Sequence, residues 1–241
     1  MGFQMMKRVL KKYIEEEGVT SVTIPSDVVS IGKCAFYGCK SLTSVIIPDS
    51  VTNIGRFAFA RCENLNSVAI PKSVKIIQNG AFKENPSLTC IRLPDTLTYI
   101  GTHTFESCRN LKEVYFGEYR FPYDLSTSAL DLQMIVTKNF SQGVCEDIKY
   151  PLILDFYQKT GDESALDYLK ANQIRIINYF IEKKQSEFLQ SILEIELIKE
   201  KTIDKLIEKA IDKKAHEIYI ILLNYKNEHF GYTDIEKRLK L

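Results

Sequence analysis

The stretch Leu42-Thr43-Ser44-Val45-Ile46-Ile47-Pro48-Asp49-Ser50-Val51-Thr52-Asn53-Ile54-Gly55-Arg56-Phe57-Ala58-Phe59-Ala60-Arg61-Cys62 decides the fold, because its pattern recurs at a step of 23 residues in both directions. Proline falls at 25, 48, 71 and 94, and phenylalanine at 36, 59, 82 and 105. Leucine keeps the same step at 42, 65, 88 and 111, and isoleucine at 31, 54, 77 and 100. Two further columns read Val22, Val45, Val68, Ile91, Val114 and Ile24, Ile47, Ile70, Leu93, Phe116. Columns in phase over four to five units specify a solenoid, in which each unit buries its apolar face only by stacking on its neighbours.

Within one unit, Val45 and Ile47 alternate into the core of a short strand while Ser44 and Ile46 point outward. Pro48 lacks an N–H and closes the strand. Val51 and Ile54 return the chain along a second wall. Gly32, Gly55 and Gly101 are expected to allow a corner there, with Gln78 as the exception. Ala58 and Phe59 fill the interior, so the phenylalanine column is expected to stack as a core ladder. A step of 23 lies within the 20–29 range of leucine-rich repeats, and Leu42-x-x-Val45-x-Ile47 has their spacing.

The run Ile-Pro-x-x-Val-x-x-Ile-Gly-x-x-Ala-Phe-x-x-Cys-x-x-Leu resembles the BspA-type leucine-rich repeat, over about residues 1–117. Phe3-x-Met5-x-x-x-Val9-Leu10-Lys11-Lys12-Tyr13 is similar to the hairpin that opens such arrays. Read on spacing alone, Met6, Val9, Leu10, Tyr13 and Ile14 also suit an amphipathic helix. Either form caps the first rung. The resemblance implies surface binding or adhesion, since many members are secreted. Residues 1–8 show no apolar leader segment, which favours a cytoplasmic siting over a secreted or cell-surface one.

After Phe116 the pattern changes. Residues 118–145 read as a connector with one short helix near Ala129–Thr137, and Tyr119, Phe121 and Leu125 are placed to cover the last rung. Residues 146–241 read at helical period. Ile203, Leu206, Ile207, Ala210 and Ile211 mark one stripe, with Thr202 as N-cap. Ala215, Ile218, Tyr219, Leu222 and Leu223 mark the next, joined at Lys213-Lys214. Thirty residues upstream, Ile176, Ile177, Phe180, Ile181, Lys183, Lys184, Phe188, Ile192 and Leu193 repeat the arrangement. An earlier pair is expected over Cys145–Thr160 and Glu163–Ala171. The resulting fold class is α+β: a leucine-rich repeat solenoid of short parallel strands, then an all-α region of stacked, ankyrin-like helix pairs, with HEAT-like or TPR-like pairs as alternatives.

With 32 basic and 31 acidic residues the chain is nearly neutral, which argues against nucleic acid as the main partner. The longest apolar run, Ile218 to Leu223, is too short for membrane insertion. Cys39, Cys62 and Cys108 share one column with Asn85, and either residue type can serve buried backbone groups. Adjacent rungs about 4.8 Å apart leave a Cys39–Cys62 disulfide open on distance, but the spacing lacks a Cys-x-x-Cys metal signature and favours reduced thiols. His103, His216 and His229 stand apart, and Glu15, Glu16 and Glu17 read as a solvated turn. No nucleophile elbow, phosphate loop or zinc motif is present, so neither an enzyme nor a cofactor or metal site is expected.

The outward columns Ser21, Ser44, Ser67, Cys90, Glu113 and Thr23, Ile46, Ala69, Arg92, Tyr115 remain. Thr23, Ile46, Ala69, Cys90, Arg92, Glu113 and Tyr115 are the candidate contacts to an unidentified protein or peptide, with Arg92 and Tyr115 foremost because Arg and Tyr are enriched among interface anchors. A surface adhesin binding carbohydrate or a host ligand is the alternative, and a regulatory subunit or enzyme with a site near residues 117–150 a further one. The sequence leaves the oligomeric state open.

Overall fold

The structure is a computed structural model that describes residues 2–121, 129–141 and 145–231. It divides into two compact units, Met1–Val144 and Cys145–Leu241. The first is built from β1 (Gly2–Met6), β2 (Val9–Ile14), β3 (Ser21–Thr23), β4 (Ser30–Ile31), β5 (Ser44–Ile46) and β6 (Asn53–Ile54). It continues with β7 (Ser67–Ala69), β8 (Ile76–Ile77), β9 (Cys90–Leu93), β10 (Tyr99–Ile100), β11 (Glu113–Phe116), β12 (Tyr119–Phe121) and α1 (Ala129–Thr137).

Two six-stranded sheets form two walls, in the orders β1-β2-β4-β6-β8-β10 and β12-β11-β9-β7-β5-β3. Each rung pairs with its equivalent in parallel register, as in Val22↔Val45 and Ile31↔Ile54. Parallel pairing of equivalent residues is what a constant step of 23 demands, since every column must superpose on itself. The third wall is a ladder of turns bonded rung to rung, such as Phe36 N–H to the Ala58 carbonyl (2.7 Å) and Phe59 N–H to the Ala81 carbonyl (2.8 Å).

Both ends are capped. The N-terminal segment is the antiparallel hairpin β1–β2, with Lys7 left-handed at its turn (φ 57°), and β2 continues the first sheet beside β4. The helical reading of this segment is therefore wrong; the strand buries Leu10 and Tyr13 and exposes the residues between. Tyr13 stacks on Phe36 at 5.2 Å and so begins the aromatic ladder. It lies one full step before Phe36, a signal the phenylalanine column alone conceals. At the other end β12 pairs antiparallel with β11, burying Tyr119 and Phe121, while α1 packs on β10. The stretch read as a connector thus contributes a strand and a helix to this unit; Leu125 lies outside the described residues.

The core follows the columns. Phe36, Phe59 and Phe82 are fully buried, as are Leu42, Leu65 and Leu88. Ring centroids in the ladder lie 4.8 Å apart for Phe36–Phe59, 5.3 Å for Phe59–Phe82 and 6.0 Å for Phe82–Phe105. Cys62 and Cys108 lie in the same buried column and donate to the carbonyls of Phe36 and Phe82, while Asn85 donates to those of Phe59 and Phe82. Cysteine and asparagine interchange there because both offer a donor to a carbonyl of the preceding turn.

The glycine column works differently from expectation. Gly32, Gly55 and Gly101 do not supply left-handed backbone; they supply closeness. A Cβ on Gly55 would sit 2.6 Å from the carbonyl carbon of Gly32. The left-handed residues come two positions later, at Cys34, Phe57, Gly80 and His103 (φ 58°, 56°, 64° and 59°).

The second unit holds α2 (Glu146–Thr160), α3 (Glu163–Lys183), α4 (Leu189–Leu193), α5 (Glu200–Asp212) and α6 (His216–Phe230). Gly161 ends α2 in the left-handed region, and the Asp162 carboxylate caps α3 by accepting from Ala165 N–H at 3.1 Å. The helices pack as α2 with α3, α3 with α4 and α5 with α6, and α3/α4 stacks on α5/α6. Lys184 and Lys214, one 30-residue step apart, are both left-handed (φ 55° and 54°), so the repeat matched in sequence is a repeat of turn geometry.

Three expectations for this unit need correction. No break occurs at Ala171: α3 runs 21 residues, and buried Gln173 inside it donates to the carbonyls of Ile192 and Glu196. Thr202 is not the N-cap, because α5 begins one turn earlier after Lys199. Ile211, expected inside, is 56% exposed.

Candidate functional site

The outward face of the second sheet gathers all seven candidate residues. Strand alternation turns Val22, Val45, Val68, Ile91 and Val114 inward, so their neighbours must point out. Register then sets the columns: Thr23↔Ile46, Ile46↔Ala69, Ala69↔Arg92 and Arg92↔Tyr115 in one, Cys90↔Glu113 in the other. Thr23, Ala69 and Arg92 are exposed, Ile46 is 52% exposed, and Cys90, Glu113 and Tyr115 are half-buried.

The face changes character along its length. Its N-terminal rungs carry a hydroxyl ladder, Ser44 Oγ to Ser21 Oγ at 2.8 Å, beside the apolar Ile46. Its C-terminal rungs carry the Arg92 guanidinium 4.0 Å above the centre of the Tyr115 ring. Arg120 on β12 lies opposite Tyr115 in register and pairs with Glu113 at 3.2 Å. Arg120 is not among the candidate columns, because the 23-residue step ends at Phe116 and β12 joins the sheet by an antiparallel return. The alternation Tyr119-Arg120-Phe121 after Gly117 was the available signal for a returning strand. Arg92 over Tyr115 is a cation–π contact on the outward face.

A second feature lies on the turn wall. Basic residues precede acidic ones by one rung: Lys40–Glu63 at 2.8 Å, Arg61–Glu84 at 2.8 Å and Lys83–Glu106 at 2.9 Å. Lys40, Glu63, Arg61 and Glu84, with Tyr37, Pro86 and Arg109, line an open groove of about 600 Å³. The hydrogen bond from Lys83 holds the Glu106 carboxyl below its ordinary range, and the bond to Glu84 raises Arg61. Charges already satisfied across rungs offer little net field to a ligand, and such exposed pairs contribute little to stability.

Elsewhere the polar chemistry is structural. In the second unit Glu146 accepts from Tyr150 (2.8 Å) and Arg175 (2.6 Å), while Asp147 accepts from the Tyr179 hydroxyl and pairs with Lys183 (3.1 Å). Hydrogen bonds from Tyr150 and Tyr179 are the leading cause that lowers these two carboxyls, so both stay ionised and bridge α2 to α3. Among the described residues no three His, Cys, Asp or Glu side chains are grouped to hold a metal ion. His103 faces Glu106 at 3.1 Å, and His229 stacks on Tyr225. All six cysteines are free; burial pushes Cys39 and Cys62 up to about 12 and Cys108 up to about 11. Among the described residues no helix is long and apolar enough to cross a membrane.

Comparison with known proteins bears on the first unit. Residues 10–122 match the BspA type leucine rich repeat region in six copies. That exceeds the four to five units counted by column; the matched range starts inside β2 and ends after β12, so it takes in the partial turns at both ends. A leucine-rich repeat protein from Bacteroides ovatus shares 40% identity over 40% of this chain and 25% of its own, with a TM-score of 0.38. The T. pallidum leucine-rich repeat protein shares 28% over 44% of this chain and 62% of its own (TM-score 0.38). The pneumococcal vaccine antigen PcpA shares 26% over 48% and 28% (TM-score 0.45). The chain therefore spans about a quarter of the Bacteroides ovatus protein and under two thirds of the T. pallidum protein. No curated protein matches it. With its repeating columns, parallel register and family match in agreement, residues 10–122 of this chain form a BspA-type leucine-rich repeat region.

Proposed function

We propose that this protein is a non-catalytic interaction module that binds a protein or peptide through the outward face of its second solenoid sheet, with the C-terminal rungs as the anchor. The supporting observation is the Arg92–Tyr115 stack at 4.0 Å, flanked by Glu113 and Arg120. Repetition makes this face continuous and leaves its side chains without core duties. A stacked Arg–Tyr pair beside a charge pair has the composition of an interface hot spot. The helical unit, read as an ankyrin-like stack from its repeated turns, is a second presenting surface in this proposal. A cytoplasmic siting also belongs to it, supported by six free thiols.

The test is a double substitution. Arg92→Ala with Tyr115→Ala should weaken a partner captured with the full chain by at least about 2 kcal/mol, while the circular dichroism spectrum is unchanged. Unaltered affinity would place binding elsewhere. Ser44→Ala is the control, expected to have little effect.

A further inference from the structure

In a repeat array the residues common to every rung build the fold, so a run of departures on one rung is free for another task. On the third rung three consecutive positions depart. Gln78 stands in the column of Gly32, Gly55 and Gly101, Asn79 in that of Lys33 and Arg56, and Gly80 in that of Cys34, Phe57 and His103. Bonds from Cys34 N–H to the Arg56 carbonyl (3.0 Å) and from Phe57 N–H to the Asn79 carbonyl (3.2 Å) stack these positions rung on rung. Each departure alters the surface. A Cβ on Gly80 would collide with the Phe57 ring, so its absence seats that ring, and the Arg56 guanidinium lies over it at 5.2 Å. Asn79 Oδ1 accepts from the Tyr99 hydroxyl at 3.3 Å, and Gln78 Nε2 donates to Asn53 Oδ1 at 3.4 Å. Ile76 and Tyr99, in register between β8 and β10, are 39% and 37% exposed, where the earlier rungs carry Ser30 and Asn53. Arg56, Ile76, Gln78, Asn79 and Tyr99 together line a depression of about 350 Å³ beside the first sheet.

We propose that this depression binds a sugar carrying a carboxylate, a uronic acid unit of an oligosaccharide. Its lining holds a phenol ring and an aliphatic side chain, two carboxamides and a guanidinium, and no carboxylate. A ring beside an aliphatic group receives the C–H face of a pyranose, which is apolar although its rim is hydroxylated. Each carboxamide is anchored at one end, which leaves Gln78 Oε1 and Asn79 Nδ2 without a partner among the described residues. One acceptor and one donor are the complement of two neighbouring hydroxyls. Arg56 has no ion pair among the described residues, whereas Arg61 and Lys83 on the turn wall are paired with acids one rung on, at 2.8 and 2.9 Å. A guanidinium without a counter-charge suits a carboxylate that takes two of its hydrogen bonds, and a neutral sugar would leave it unanswered. Lys33, one rung before Arg56 at about 4.8 Å, is placed for the next acidic sugar of a chain. The backbone groups of β8 and β10 are spent in the parallel ladder, so an extended peptide finds no strand edge to join here.

An array of immobilised oligosaccharides in neutral, carboxylated and sulfated series, probed with the full chain, tests the proposal. Carboxylated members should be retained and neutral ones not. Calorimetry should give a dissociation constant on the order of 0.1–1 mM, since a shallow site leaves much of the ligand in water. Arg56→Ala should weaken this binding at least about tenfold. Gln78→Gly restores the residue of its own column, so it should keep the wild-type circular dichroism spectrum while weakening binding about threefold. Arg92→Ala with Tyr115→Ala, on the second sheet, should leave sugar binding unchanged, which separates this site from the face proposed for a protein partner. Retention of no carboxylated sugar overturns the proposal, as does retention that survives both Arg56→Ala and Gln78→Gly. Sulfated sugars retained in place of carboxylated ones would reveal unspecific charge attraction and overturn it too.

Discussion

Replacing Phe59 with alanine removes the middle of the aromatic ladder. Phe59 is fully buried and stacked on Phe36 at 4.8 Å and 14° and on Phe82 at 5.3 Å and 4°. Withdrawing its ring from an apolar site costs about 2 kcal/mol of transfer free energy. Two stacking contacts of about 0.5–1.5 kcal/mol each are lost with it. The void relaxes poorly, because the backbones of Phe36 and Phe82 are bonded to the following rungs through Phe36 N–H to the Ala58 carbonyl and Phe82 N–H to the Thr104 carbonyl. The total expected is about 3–5 kcal/mol. Hydrogen exchange is the appropriate assay, since the two units need not unfold together and exchange resolves the solenoid by itself. The amides of Phe59 and Phe82 should lose protection by about two to nearly four orders of magnitude, at ~1.4 kcal/mol per decade. Peptides from α5 and α6 should be unchanged. A loss of less than about tenfold in the solenoid would show that the ladder is not what holds the rungs together.

Asn85→Ala takes the side-chain donor from the buried Phe59 carbonyl, while the Phe82 carbonyl keeps Cys108, and should cost about 1–3 kcal/mol by urea denaturation, whereas Asn85→Cys, which restores the residue used at Cys62 and Cys108, should recover part of it. All six thiols should titrate after denaturation without reductant, but in the folded protein an alkylating reagent at pH 8 should reach Cys145 first and spare Cys39, Cys62 and Cys108. These three hold their protons more tightly folded than unfolded, so their contribution is complete below the ordinary thiol value of 9.0 and declines as pH rises through about 11 to 12; stability that rose across this window would contradict the assignment. A fragment ending at Phe116 should aggregate, because it lacks both β12 and α1, while one ending after about residue 140 should stay in solution by light scattering.

Much of the solenoid was legible because its constraints are local and repeated. Every rung states the same inside-outside alternation, so Val45 and Ile47 facing in and Ile46 facing out could be read from one unit and checked on four others. Helices α1 and α2 were likewise legible in their bounds. The candidate columns followed from the same alternation, and all seven residues share the face expected of them.

What the repeat did not contain was decided by distance in space. Gly55 is small because Gly32 of the previous rung lies against it, a reason invisible to a reading that treats glycine as a local bend. Arg92 stands over Tyr115 because parallel register places residues 23 apart side by side. Arg120 joins them only when β12 folds back. The helical unit shows the opposite limit: Ile181 and Ile211 are the same residue in the same local pattern, yet one is buried and the other 56% exposed. Periodicity determines which side of a helix is apolar. Whether that side is covered depends on what stacks beyond it, because burial belongs to a pair of surfaces and a sequence window contains only one of them.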